Sequence, residues 1–511
     1  MILSTGTSAI PQAAPDLAPR SAATNGRPVD PGSERFRDVI DASRAMPVEV
    51  FADTVFRVLS ANAEGSRKWR QQLVDDVYAK AGEAARRTHL TYLRDERLRD
   101  LAFLVAASNQ RLDELSIRVK AIQYMSRIDA KKAAEWLEVL ALPKLETAVC
   151  GDFASEDTDA IFNLLAEAGP TLYNSKEGHD RYEALLRRHI SSISSIMQLA
   201  PAANMLLAAK LDGDSFGSLL TAYTARVADV RGDDTTFAIA IAQGQLLPSI
   251  DELLKRSAAL DRGTEPLLAA TRQFLAAHLA QPRCGAAPRI ESDSEKAKDA
   301  RTAAIEFYNG RLERYLSAGA PLTPKADAPM AKVVSNAGDV LNLDKESCLM
   351  EVSRHLLVKD SDKPFNWTGD LDRCLTRIRK WKPEGVECRE CIFVVQTKAF
   401  LTLATVATEA SDLQQVVGAY LQLMEGNPIQ KEKPAEWLTC LKAMLNSGRS
   451  VSKADEQRLT RVRSPFLRPH LFPDKVLSGL SDSRDPIVHL YLQLERLAPQ
   501  NYSFWWTTLS F

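Results

Sequence analysis

From Ser33 onward, apolar side chains return at steps of three and four, the period that puts them on one stripe of an α-helix. Ser33 stands ahead of Phe36, Val39 and Ile40 as a capping residue. Pro47 falls in the first turn of a helix carrying Val50, Phe51, Val55, Phe56 and Leu59. Ser66 caps a helix with Trp69, Leu73, Val77 and Tyr78. The clearest stripe runs through Leu98, Leu101, Ala102 and Val105, and then Leu112, Leu115, Val119 and Ile122. Asp129 opens a helix with Ala133, Trp136, Leu137 and Leu140 inward and Lys131, Lys132 and Glu135 outward, ended by Pro143. Ser155 is placed to cap Ile161 to Ala168. A long helix is predicted from about His179 to Ala200 and short ones to Ala280, joined by links such as Asp212-Gly213.

Alternating Val/Ile/Thr runs with hairpin turns are nearly absent. Short links imply antiparallel neighbours. The pattern predicts an all-α fold, an irregular α-solenoid of stacked antiparallel helix pairs with units of about 30 to 45 residues. The tetratricopeptide pattern does not fit: setting Ala133 or Ala134 at its central alanine leaves Lys120 or Arg118 where apolar residues belong. Residues Met1–Gly32 hold five prolines and no aromatic residue, too little apolar area to offset the entropy of ordering, so 1–32 is predicted to be a disordered leader. The organisation that follows is a helical-repeat block over 33–280, a linker over 281–294 and a second helical block over 295–511, with aromatic residues crowded at Tyr502, Phe504, Trp505, Trp506 and Phe511.

Composition narrows the function classes. Across 511 residues, 65 Lys+Arg against 66 Asp+Glu leave a net charge of −1, which gives no global attraction to nucleic acid or an anionic membrane. No apolar run approaches the roughly 20 residues of a membrane-spanning helix. Seven sparse cysteines do not make a disulfide framework, and reduced thiols in the cytoplasm are the default expectation. Met1–Ile10 lacks the basic start of a secretory signal.

Three segments carry a resemblance. Met46-Pro47-Val48-Glu49-Val50-Phe51-Ala52-Asp53, Lys68-Trp69-Arg70-Gln71-Gln72-Leu73, and Ile128-Asp129-Ala130 through Trp136 to Leu142-Pro143 resemble a group of helical, acidobacterial-type bacterial proteins without assigned activity. The likeness covers about the N-terminal third and implies a helical fold. Members of the group look as if they often begin with an export signal, so the resemblance keeps an exported location open.

Candidate chemistry is thin. His-Glu-x-x-His, Gly-x-Ser-x-Gly, Gly-Lys-Ser/Thr and Gly-x-Gly-x-x-Gly are all missing, and the reading leans away from catalysis, with no catalytic residue and no cofactor assigned. Cys388 and Cys391 form a Cys-x-x-Cys, a spacing that grips zinc when a second pair completes the tetrahedron. Cys348, Cys374 and His355 are the candidate completers, and none makes a second tight pair; two cysteines near a helix start is the simpler account. Asp212 to Gly217 starts like a calcium loop but has Phe216 and Tyr223 where oxygen ligands belong, so it is a helix-linking turn. Glu351 and His355 lie one turn apart, read as a solvent-facing pair. Arg373, Arg377, Arg379, Lys380 and Trp381 form the densest basic stretch, suited to an anionic partner yet flanked by Asp370, Asp372 and Glu384. Arg458, Arg461, Arg463 and Arg468 form another. Asn366 and Asn501 head chance-level glycosylation sequons. The expected role is a non-catalytic scaffold that binds a protein or peptide. The alternatives are an enzyme of unfamiliar type with a pocket between the blocks, and an exported, envelope-associated helical protein.

Overall fold

The computed structural model describes residues 31–61, 65–84, 89–90, 107, 109–145, 154–155, 157–230, 246–278, 371–382, 389–407, 409–447 and 473–498. Within them the chain is all-α. Eighteen α-helices appear: α1 (Pro31–Ser43), α2 (Val48–Ala61), α3 (Arg67–Lys80), α4 (Glu114–Ile128), α5 (Ala130–Val139), α6 (Thr158–Leu172), α7 (Lys176–Ser191), α8 (Leu199–Ala208), α9 (Gly213–Asp229), α10 (Leu246–Ala259), α11 (Glu265–His278), α12 (Leu371–Lys380), α13 (Arg389–Val406), α14 (Ala410–Met424), α15 (Ile429–Glu432), α16 (Pro434–Ser447), α17 (Pro473–Ser481) and α18 (Pro486–Leu497). Extended pairing among the described residues is confined to a two-residue antiparallel match, β1 (His89–Leu90) with β2 (Ala154–Ser155), His89 opposite Ser155 and Leu90 opposite Ala154.

Side-chain caps set many of the helix starts. Ser66 accepts from the Trp69 N–H, Asp129 from Lys132, and Asp212 from Ser215, each satisfying a backbone donor that the first turn leaves over. The Asp212 segment is therefore a helix start, as its sequence implied. Three boundaries differ from the pattern. Helix α1 begins at Pro31, with proline in its favoured first position, so Ser33 lies inside the first turn. Asp157, not Ser155, caps α6 by accepting from the Ala160 N–H, while Ser155 sits in the extended pair. The predicted long helix from His179 is broken: α7 stops at Ser191 and α8 starts at Leu199. Three serines, Ser192, Ser194 and Ser195, crowd this gap, and their hydroxyls compete for backbone bonds. Ser195 and Gln198 make a capping box that starts a short 3₁₀ turn, Ile196–Gln198.

Packing alternates along the chain. Helices α4, α6, α8 and α10 each lie against the next of that set, and α7, α9 and α11 do the same. The two rows are joined by the sequential pairs α6–α7 and α8–α9, and α5 lies against α4 and α6. Side-chain donors tie helices to carbonyls of their neighbours. Tyr182 of α7 donates to Leu165 O (2.8 Å), Tyr223 of α9 to Leu199 O (3.1 Å), and Arg256 of α10 to both Leu206 O and Leu207 O (2.8 Å each). The Arg256 contact places a cation at the carbonyl end of α8, where the helix dipole favours it. Gly169 of α6 gives Tyr182 its room; a Cβ there would stand 2.5 Å from the Tyr182 ring.

The C-terminal helices pack among themselves and on the first two. Helix α14 contacts α12, α13 and α17, and α16 contacts α13, α15 and α17. Helix α16 also lies on α2, and α18 on α1. Helix α2 is thus covered by α1, α3 and α16, and nearly every residue from Val48 to Leu59 is buried. The buried apolar side chains form one contiguous cluster from Phe36 to Ala498. Among the described residues no helix is long and apolar enough to cross a membrane. The predicted leader apart from Pro31 and Gly32, the 281–294 linker, the Leu98–Val105 half-stripe and the Tyr502–Phe511 aromatic group lie outside the described residues.

Candidate functional site

The strongest concentration of ionisable chemistry lies where α2 meets α16 and α18. Helix α2 is mostly apolar but carries three charged side chains, Glu49, Asp53 and Arg57, spaced one turn apart and so on one face. Lys442 of α16 donates to Asp53 Oδ1 at 2.7 Å, and Tyr491 of α18 donates to Asp53 Oδ2 at 2.5 Å. Lys442 also donates to Gln110 Oε1 at 2.7 Å. The amide of Gln110 donates to Ala435 O (3.3 Å) and meets the Thr439 hydroxyl, both in α16. Arg57, with a side chain 1% exposed, pairs with Glu495 of α18 at 2.6 Å and donates to Ala498 O at 2.7 Å. Arg35 reaches Leu497 O at 3.4 Å, so two arginines from α1 and α2 face the carbonyl end of α18. Lys120 of α4 completes the set, donating to the main-chain oxygen of Gln110 at 2.6 Å.

Burial would raise the Asp53 carboxyl, but Lys442, the Tyr491 hydroxyl and Arg57 outweigh it and hold it below the usual carboxylate range. Lys442 is pushed below the ordinary lysine range by burial, with Asp53 opposing and Arg57 adding to the fall. Both oxygens of Asp53 and the ammonium of Lys442 are engaged by named partners, which orients them. The arrangement holds three helices in register across 389 residues of sequence between Asp53 and Lys442. A second polar focus joins α4 and α6. Asp113 and Asp157, both 1% exposed, cap these helices, and Arg111, held at a left-handed φ of 54°, bridges to Asp157 at 3.2 Å. Burial raises the Asp113 carboxyl, Ser116 opposes this through its hydrogen bonds, and Asp157 adds to the rise.

The residues singled out by sequence fall elsewhere. Arg373, Arg377 and Lys380 lie on the exposed face of α12, while Leu371, Cys374, Leu375 and Ile378 are buried. Arg379 and Trp381 are half-buried. Gln396 of α13 donates to Ile378 O, Arg379 O and Trp381 O at 2.8, 3.0 and 3.3 Å, closing the end of that helix. Cys391 lies in α13, its side chain outside the described residues, as are Cys388, Glu351, His355, the Arg458–Arg468 stretch and both sequons. Cys374 is disulfide-bonded, which removes it as a zinc completer and departs from the expectation of reduced thiols. Cys440 is free and buried, its thiol pushed up to about 12 by burial. Among the described residues no three His, Cys, Asp or Glu side chains gather to hold a metal ion.

Sequence reasoning did not single out the α2 cluster. Its signal was there in retrospect: Arg57 and Lys442 each interrupt a run that is otherwise apolar, and a charge so placed needs a buried partner. No protein-family model matches this chain, and no curated protein and no solved structure matches it either.

Proposed function

We propose that this chain is a non-catalytic scaffold, an irregular α-solenoid whose stacked helices offer an extended surface to a protein or peptide. The observation that most supports this is the alternate packing of α4, α6, α8, α10 against α7, α9, α11. Two such rows are how stacked helical hairpins bury a continuous core while leaving outer faces to solvent. The step from architecture to role is an analogy between folds. The buried charges favour it too, because they are engaged with one another across helices. The test is capture of partners from the native cell with tagged full-length chain, then hydrogen exchange on the reconstituted complex. Protection spread over the exposed faces of several neighbouring row helices is expected. Loss of every partner on washing, together with a thermal shift from a small molecule, would overturn the reading.

A second reading, export to an oxidising compartment, is favoured by the disulfide at Cys374, since such bonds persist mainly outside the cytoplasm. Alkylation of protein isolated without reductant tests it. Cys374 should resist labelling until reduced; immediate labelling in native material would remove the support.

A further inference from the structure

The amines around Gln110 are not equally paired. Lys442 is paired with Asp53 and Arg57 with Glu495, yet among the described residues Lys120 has no carboxylate within ion-pair distance. Its amine meets Gln110 O at 2.6 Å and stands 5.7 Å from the Phe56 ring centre. Two amines thus converge on Gln110, Lys442 on its side chain and Lys120 on its main chain. Lys120 is half-buried, whereas Lys442 is only 6% exposed. We propose that Lys120 is a nucleophilic lysine, a site of covalent modification by small acyl electrophiles such as acyl phosphates.

Four charged groups act on it from neighbouring elements: Lys442 of α16 and Arg111 before α4 repel a proton there, and Asp53 of α2 and Asp113 at the α4 start attract one. Burial is the largest influence, and the balance brings the amine down to about 8. The bond to Gln110 O does not block reaction. A neutral amine keeps two hydrogens, so it donates one to the carbonyl and still offers its lone pair. In the step, Nζ attacks the acyl carbon, a C–N bond forms, the bond from that carbon to the phosphate oxygen breaks, phosphate leaves with the electron pair, and the extra proton on nitrogen passes to water. The product amide carries no charge, which ends the repulsion with Lys442.

Timed labelling of the full wild-type chain with limiting acetyl phosphate, read by peptide mass mapping, tests this. Exposed Lys68 and Lys131 are the internal references. Well below both ranges, the neutral fraction of an amine near 8 exceeds that of an ordinary lysine on the order of a hundredfold. Partial burial offsets some of this, so Lys120 is expected to react about tenfold faster than the references near pH 7.5, with a midpoint near 8. Concentrated guanidinium should erase the advantage. A native rate no higher than that of Lys68 and Lys131, or an advantage that survives unfolding, would overturn the assignment.

Discussion

The helical rows α4 to α11 and the junction of α2 with α16 and α18 are both buried, but they are held by different physics. In the rows, neighbours close in sequence meet through apolar faces, and the buried Tyr182 and Tyr223 and the half-buried Arg256 reach main-chain carbonyls. At the junction, helices some 390 to 440 positions apart meet through two buried ion pairs and a shared Gln110. Apolar packing tolerates small shifts, whereas a buried charge is costly unless its partner is in place. The rows can therefore yield locally, while the junction is matched or lost.

The largest expected effect comes from unbalancing the junction. Asp53→Ala leaves Lys442 buried opposite no carboxylate and should cost about 3–5 kcal/mol in denaturant unfolding. The apolar double variant Asp53→Leu with Lys442→Met should recover most of that loss. A double variant as unstable as the single would show that shape rather than charge sets the junction.

Next is a packing change within the rows. Gly169→Ala would drive a methyl into the Tyr182 ring and should cost about 1–3 kcal/mol, because the ring is also held by its bond to Leu165 O. Tyr182→Phe beside Gly169→Ala separates the lost bond from the clash. A neutral Gly169→Ala would mean that the α6–α7 contact can slide.

Helix starts come third. Asp129→Ala removes the cap on α5 and should cost about 1 kcal/mol, with hydrogen exchange rising in the first turn of α5 and little change at the junction. Spread of the exchange to α16 or α18 would break the contrast between the two regions.

The smallest effect is a slope in pH. His189 lies between Leu185 O (3.0 Å) and Leu140 O (3.1 Å), and burial lowers its proton affinity below the free-histidine value. A base lowered by folding leaves the unfolded chain binding more protons, so stability rises with pH through that window. The contribution is full above about 6.5 and declines as pH falls below it. His189→Gln should flatten stability against pH in that range; an unchanged slope would assign it to other groups.

Many of the individual helices were legible, because an amphipathic helix announces itself by local spacing. Leu115, Val119 and Ile122 are buried as their stripe implied, and Ser66 and Asp129 cap as expected. The break between α7 and α8 was harder to read, since the apolar period continues through the serines that interrupt it. The basic stretch of α12 was legible as a run of charge, but that Arg373, Arg377 and Lys380 face outward while Arg379 and Trp381 are half-buried came only with the fold. The junction was not, because Asp53 and Lys442 carry no mark of belonging together until the chain brings α16 back onto α2.

The sequence by itself determined that this protein is helical and where many of its rods begin and turn, because period and capping act over three or four residues. Only the tertiary structure decided that α2 is buried on nearly every side and that Asp53 faces Lys442 and Tyr491. It also decided that Lys120 is left without a counter-charge among the described residues. Those outcomes depend on which surfaces meet across hundreds of residues, and the energy of a charge is set by that meeting rather than by its neighbours in the chain.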